Sequence, residues 1–447
     1  MKTKQHIITA VSAVTAAVCA ACVPIVRTSG ALWAIALLIL LCLAGVALPL
    51  AAYSGPKSMT LRLLLHGLVC LRAFCIATLA AIPLQVYVLV KYLASEPFYA
   101  LGSAAVAFLV LAVVFWVGMI LVYLFSLQLG IDHKLKGALL GLVPVANLVM
   151  LYRIMDTVSR EVDFERDKLY FNKERASKRV CATSYPILMV HGVCFRDFAF
   201  PNYWGRVPAY LERNGARVFF GNHGSAASVA DSALELAARI RYITDDLGYG
   251  KVNIIAHSKG GLDCRYAIAC YGVADRVASL ITVNTPHRGC AYADYLLGKI
   301  PKGVQDKVAS AYNRTLSRLG DDEPDFLAAM RDLTEERVQK LNAEMDDERF
   351  YRDIYRISIG SKINERRHVG LPLSLTHGFV KRFVGENDGL VSVDSFSWGE
   401  NYRFINSSTL SGISHADVID MTCRNMLDFD VREYYVSLVS ELKERGL

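Results

Sequence analysis

The sequence predicts two structures in one chain: an α-helical transmembrane bundle, followed by an α/β domain whose mostly parallel central sheet is flanked by helices. Three observations predict this. The 447 residues are 53% hydrophobic and 20% charged, whereas a soluble globular chain is usually about 45–50% apolar and about 25% charged. Charge is also segregated. Residues 1–152 carry Lys2, Lys4, Arg27, Lys57, Arg62, Arg72, Lys91, Lys134 and Lys136 against Glu96 and Asp132, which accounts for the whole net charge of +7. Beyond them, short apolar runs alternate with helical stretches, the signature of strands joined by crossover helices. The basic balance therefore belongs to loops between apolar segments, and no nucleic-acid partner is expected.

The apolar stretches run over 7–26, 31–53, 61–90, 98–129 and 137–155. A crossing helix needs about 20 residues, so residues 1–155 are expected to form a membrane anchor with four or five transmembrane helices. Lys2 and Lys4 ahead of the first stretch resemble the start of a signal peptide; with further spans following, an uncleaved anchor is expected. The third stretch is too long for one crossing and carries Arg72, which costs about 2.5–3.5 kcal/mol at a helix centre. A span starting after Arg72, preceded by a surface-lying helix over 61–71 with Arg62 and His66 on its polar side, removes that cost. An inside amino terminus puts all the basic residues except Arg27 and Lys91 on the cytoplasmic side, so the chain is expected to be a multi-pass cell-membrane protein with a cytoplasmic amino terminus. The side taken by the rest depends on whether 137–155, interrupted by Pro144 and Asn147, spans. Residues 156–181 are highly charged, with Val158, Val162 and Leu169 at helical spacing, and read as a helical connector to a third region, 182–447.

The chain has 11 cysteines, but none is spaced as in a zinc site or a disulfide framework. They read as buried thiols, and no metal is expected.

In 182–447 the strand-like runs are 187–190, 217–221, 252–256, 280–284, 354–359 and 402–405. Helical runs include 203–214, 230–247, 262–271, 334–345 and 428–445. The chemistry concentrates where the 252–256 strand ends, in Ala256-His257-Ser258-Lys259-Gly260-Gly261. A serine on a sharp strand-to-helix turn points its hydroxyl off the sheet edge, and crowding there demands tiny residues two before and two after it. Ala256 and Gly260 meet that demand. A serine needs a base, and the base needs an orienting group. Asp388, in the turn Gly385-Glu386-Asn387-Asp388-Gly389, and His415, before the last helix, supply them. An Asx turn is the structural alternative for Asp388. An oxyanion hole requires two backbone N–H groups. Lys259, after the serine, and Val193, in the loop after the first strand, are the candidate donors. His191 and His257 are expected to orient these loops rather than to titrate.

Residues 184–440 resemble the bacterial triacylglycerol lipases of the α/β-hydrolase superfamily. The resemblance rests on Tyr-Pro-Ile-Leu-Met-Val-His-Gly at 185–192, Tyr203-Trp204-Gly205, the stretch from Ala256 to Tyr266, Asn284-Thr-Pro-His-Arg-Gly289, Asn387-Asp388-Gly389 and His415-Ala416-Asp417. It implies an α/β-hydrolase domain, with Ser258 as nucleophile, His415 as base, Asp388 as orienting acid, and Val193 and Lys259 as oxyanion donors. Ala256 stands where glycine is usual. Asp417 matches a calcium ligand of some such lipases, but Met421 stands where its polar companion is expected, so no cofactor is assigned. Within 291–352, Val304, Val308, Ala311 and Leu316 recur at helical spacing. They mark either an amphipathic lid over an acyl site or a packed helical insertion.

The function expected is that of a membrane-anchored serine ester hydrolase acting on acylglycerols or other lipid esters. A thioesterase or another acyl hydrolase would carry the same triad, and a non-catalytic hydrolase-fold binding protein would ordinarily have lost one member of it.

Overall fold

In the computed structural model the described residues are 2–29, 58–141, 143–193, 202–318, 324–426 and 428–447. They form two compact units, Met1–Lys173 and Glu174–Leu447.

The first unit is helical. Helices α1 (Lys2–Ala20) and α2 (Cys22–Ser29) meet at a 62° bend. Then follow α3 (Met59–Tyr92), α4 (Pro97–Phe125), α5 (Ile131–Leu140) and α6 (Ala146–Arg175). Among the described residues α3 and α4 are long and apolar enough to cross a membrane, and the bent α1–α2 pair makes a third if it acts as one span. The stretch 31–53 lies outside the described residues.

One expectation needs correction. The surface-lying helix expected over 61–71 is the opening of the single 34-residue helix α3, and Leu61, Leu64, Leu68 and Leu71 are buried. The helix runs on through Arg72, whose guanidinium donates to Ser159 Oγ at 2.8 Å. The stretch 137–155 is divided: α5 ends at Leu140 and α6 begins at Ala146. The expected charged connector is the continuation of α6, followed by a 3-10 turn at Ala176–Lys178. Glu161 of α6 closes the end of α4, accepting from Ser126 Oγ at 2.5 Å and from the Leu127 amide at 2.9 Å.

The second unit is built on six strands: β1 (Ile187–Val190), β2 (Val218–Phe220), β3 (Val252–His257), β4 (Val277–Val283), β5 (Tyr355–Gly360) and β6 (Tyr402–Phe404). Their order is β2-β1-β3-β4-β5-β6 and every pairing is parallel. Continuous apolar runs predict this arrangement, because a parallel sheet is covered on both faces. All residues of β1, β3 and β4 are buried. One face packs beneath α7 (Val207–Arg213) and α15 (Val431–Glu444), joining Ile187, Met189, Ile255 and Ile281 to Trp204, Leu211 and Val439. The other carries α8 (Val229–Arg241) and α9 (Lys259–Cys270), joining Leu188, Ile254 and Leu280 to Leu236, Ile240 and Ile268. Strand order reverses between β1 and β3, so their carboxyl ends open a crevice, the usual ligand position in open α/β sheets.

The region 291–352 is helical where described, with α10 (Ala291–Lys299), α11 (Lys302–Arg318), α12 (Phe326–Asp332) and α13 (Glu335–Met345). Its halves differ. Val338, Leu341 and Met345 of α13 are buried against Leu262, Val391 and Phe396, as in an ordinary packed insertion. In α11, Leu316 is buried, whereas Val304 and Val308 are exposed, leaving an apolar stripe uncovered.

Behind the sheet, His287 is buried between Arg265 and Thr282. A guanidinium only donates, so His287 Nδ1 accepts from Arg265 Nη1 at 3.1 Å, and Nε2–H donates to Thr282 Oγ1 at 3.0 Å. Burial, reinforced by the Arg265 and Arg288 cations, holds this imidazole well below its ordinary value. Below about pH 6.5 the unfolded chain binds a proton that the folded chain refuses, so stability is full above that pH and lost as pH falls. We expect the Tm of the second unit to decline from pH 7 to pH 5, and His287→Gln to flatten that decline. An unchanged slope in the variant would assign the acid sensitivity elsewhere.

Candidate active site

The serine turn forms as the spacing predicts. Ser258 follows β3 at φ 56° and ψ −132°, a conformation L-residues rarely adopt, and α9 begins at the next residue. Such a residue costs on the order of 1–3 kcal/mol and persists only where its surroundings fix it. Here the Ser258 amide donates to the Val283 carbonyl at 2.9 Å, and the Gly261 amide donates to the Ser258 carbonyl at 3.1 Å. Ala256 is fully buried in β3, paired with Val190 and Thr282. A Cβ on Gly260 would lie 2.3 Å from the His191 carbonyl oxygen, and one on Gly192 would lie 2.7 Å from the Ser258 Cβ. The small residues around the serine are therefore steric requirements.

Asp388 lies between β5 and β6, and His415 lies beyond β6. The structure joins them: His415 Nδ1–H donates to Asp388 Oδ2 at 2.6 Å, and the His415 amide donates to the Asp388 carbonyl at 2.9 Å. Asp388 is fully buried and surrounded by donors. Oδ1 accepts from the Leu390 and Val391 amides at 3.0 and 2.9 Å, and Oδ2 also accepts from Asn284 Nδ2 at 2.7 Å. One carboxylate oxygen thus shapes the turn while the other receives the imidazole. The His415 ring stands 4.5 Å, centroid to centroid, from that of His257, the neighbour of Ser258. No Ser258–His415 hydrogen bond is formed among the described residues; free enzymes often tighten that contact only when substrate binds.

Both candidate oxyanion donors border the crevice. The Lys259 amide opens α9, where the first N–H groups have no acceptor within the helix. Val193 follows β1, two residues beyond His191. His191 and His257 both hydrogen-bond to neighbouring loops. His191 pairs through Nδ1 with the Gly192 carbonyl at 2.8 Å and through Nε2 with the His223 carbonyl at 3.2 Å. His257 Nδ1 shares a 2.6 Å hydrogen bond with the Tyr203 hydroxyl, and burial drives its imidazole well below the ordinary value.

Three contributors escaped the sequence reading. Tyr203 ties the loops together, its hydroxyl accepting from the Gly192 amide at 3.0 Å while bonded to His257. Asn284 reaches Asp388 from the end of β4. The Lys259 side chain is buried and donates to Asp263 Oδ1 at 2.7 Å and Ser232 Oγ at 2.9 Å, pinning α9 to α8. For Tyr203 and Asn284 the signal was present as motif matches, without a role attached.

The residues around Asp417 do not fit a calcium ion. Its Oδ1 accepts from Thr422 Oγ1 at 2.7 Å, and its Oδ2 accepts from Ser414 Oγ at 2.7 Å and Arg424 Nη2 at 3.0 Å. Among the described residues no group of three His, Cys, Asp or Glu side chains could hold a metal ion. A guanidinium thus neutralises Asp417, and it also reaches Ser411 Oγ at 3.0 Å, bracing both ends of the segment that carries His415. We expect Arg424→Gln to destabilise this unit by about 1–3 kcal/mol, the cost of stripping a partner from a buried polar group, read as a lower Tm. Calcium is not expected to restore it; restoration by calcium would reveal an ion site.

A serine on a sharp turn after β3, a carboxylate after β5 and a histidine after β6, on an all-parallel sheet, follow the arrangement of an α/β-hydrolase fold. The family model described as "alpha/beta hydrolase fold" matches residues 185–364, and the second unit is an α/β-hydrolase domain. Among curated relatives, the chain is 33% identical over 180 residues to a triacylglycerol lipase of Burkholderia plantarii, covering 37% of this chain and 49% of that one. It is 27% identical over 302 residues to a triacylglycerol lipase of Pseudomonas fragi, covering 59% of this chain and 98% of that one. The chain spans about half the length of the first relatives it matches. A Staphylococcus hyicus lipase structure aligns at 18% identity and TM-score 0.44, over 59% of this chain and 97% of that one.

Proposed function

We propose that the chain is a membrane-attached serine ester hydrolase acting on lipid esters, a lipase in the broad sense. The observation that carries this reading is the buried 2.6 Å pair of His415 and Asp388, held beside the strained turn of Ser258. Asp388 fixes the imidazole with its proton on Nδ1, leaving Nε2 as the base. His415 takes the Ser258 proton as Oγ attacks the ester carbonyl, and the oxyanion is received by the Val193 and Lys259 amides. His415 then protonates the departing alcohol and activates water against the acyl-enzyme.

Sequence likeness to triacylglycerol lipases supports lipid esters as the substrate class. Membrane attachment is supported by α3 and α4, which at about 1.5 Å per residue exceed the ~30 Å hydrocarbon core. Their outer faces expose Leu79, Val90, Phe108 and Leu124, side chains that water would not tolerate in such density. The basic loops favour a cytoplasmic amino terminus.

The test is hydrolysis of p-nitrophenyl esters, from acetate to palmitate, by the detergent-solubilised full chain, together with labelling by a fluorophosphonate, which a nucleophilic serine attacks with loss of fluoride. The expected result is a preference for long chains and a single label on the peptide containing Ser258. A short-chain preference would make the protein an esterase of soluble substrates. Absence of both turnover and label would overturn the hydrolase reading.

A further inference from the structure

A cavity of about 420 Å³, within the size range of ligand clefts, lies between the 3-10 turn Arg366–His368 and helix α14 (Leu373–Val384). Arg366, Arg367, Lys381 and Arg382 line it. Among the described residues, none of these four cations pairs with a carboxylate. Elsewhere in the same unit Arg206, Arg276, Arg356, Arg403 and Arg424 each hold one. The carboxylate in the lining, Glu365, sits instead 3.7 Å from His368 Nε2. Four like charges around one volume repel one another and focus a positive potential into it.

A second observation points to an occupant. His377 also lines the cavity, is 3% exposed, and its Nδ1 has no hydrogen-bond partner. Buried polar atoms are nearly always satisfied. Burial and the neighbouring Lys381 and Arg366 hold this imidazole below its ordinary value, so at neutral pH it is an uncharged group able to present an N–H. Guanidinium forks and a ring N–H are donors suited to phosphate oxygens. Exposed apolar residues lie nearby in the chain: Leu371, between the turn and α14, and Leu375, in the first turn of α14, are 75% and 68% exposed. Basic residues interleaved with exposed apolar ones on one helix are the composition of a segment lying in a membrane interface.

We propose that this cavity binds the phosphate of an anionic phospholipid headgroup at a bilayer surface, with Leu371 and Leu375 entering the acyl boundary beside it. Cations attract the anionic leaflet and the exposed leucines hold what they attract. The surface also adjoins the active site. The His377 carbonyl accepts from Asn387 Nδ2 at 3.5 Å, one residue before Asp388. The inference is independent of the ester-hydrolase reading, because it concerns binding alone.

The experiment uses the full chain carrying Ser258→Ala, in an uncharged detergent, so that no probe is hydrolysed. A fluorescent short-chain phosphatidylglycerol is titrated in and its anisotropy read, with phosphatidylcholine as the zwitterionic control and inorganic phosphate as competitor. Adding Arg366→Gln and Lys381→Gln is expected to weaken phosphatidylglycerol binding at least tenfold and to leave phosphatidylcholine binding unchanged. If that variant unfolds by circular dichroism, Arg367→Gln with Arg382→Gln, both exposed, replaces it with the same expectation. Leu375→Ser is expected to weaken binding to phosphatidylglycerol vesicles while sparing the short-chain probe. Unchanged phosphatidylglycerol affinity in a folded charge variant overturns the proposal. Inorganic phosphate that displaces the probe with equal affinity overturns the lipid assignment and makes the site one for free phosphate.

Discussion

Replacing Ser258 by alanine is expected to lower kcat/KM for a p-nitrophenyl ester by about a thousandfold or more, the scale for loss of a triad member. The loss should fall on kcat, with KM nearly unchanged, because the hydroxyl acts in the transition state and binds little in the ground state. Protein stability should not fall. Ser258 occupies a strained backbone conformation for the sake of its side-chain direction, and alanine keeps that backbone without adding bulk. A variant with wild-type activity would exclude Ser258 as the nucleophile.

The second large effect is expected from Asp388→Asn, about 10³–10⁴-fold in kcat on the triad precedent. The shape is preserved, but the chemistry is not. Oδ2 now receives His415 Nδ1–H and Asn284 Nδ2 at once, and an amide nitrogen in that place offers a donor to two donors. Turning the amide moves the clash to Oδ1, which accepts from the Leu390 and Val391 amides. In the first orientation His415 loses the acceptor that keeps its proton on Nδ1; in the second it keeps an acceptor, but an uncharged one on a turn whose two amides have lost theirs. The measurement is the pH–rate profile of the purified variant. Recovery at alkaline pH, where hydroxide replaces the base, is expected, and a profile identical to wild type would exclude Asp388 as the orienting acid.

Much of this was legible in the sequence because the signals are local. Strands β1 and β3 are short, mostly apolar runs bounded by turn residues, and the structure begins them at Ile187 and Val252, as read. The serine turn is equally local, since Ala256, Gly260 and Gly261 record its crowding within six residues. Asn284 was not legible in the same sense. Nothing near it in sequence says that its amide will meet a carboxylate 104 positions later. Arg72 is a related case: nothing local says that the helix runs unbroken through it or that its guanidinium reaches Ser159 of α6, 87 positions later. The cations around His377 are scattered along a polar stretch and become a cluster only when the 3-10 turn at Arg366 folds back against α14.

The long helical crossover between β4 and β5 governs the order in which the active site is assembled. Closing a loop becomes costlier only with the logarithm of its length, so the insertion weighs little on stability. It weighs on kinetics, because distant strands must find each other before their pairing is rewarded. The serine turn closes on Val283 at the end of β4, so the nucleophile half draws on sequence already made when that strand emerges. Asp388 and His415 both follow β5 and arrive after the slow closure. A nascent chain therefore carries the serine turn before it carries either member of the Asp388–His415 pair, which is complete only once the segment beyond β6 has been made.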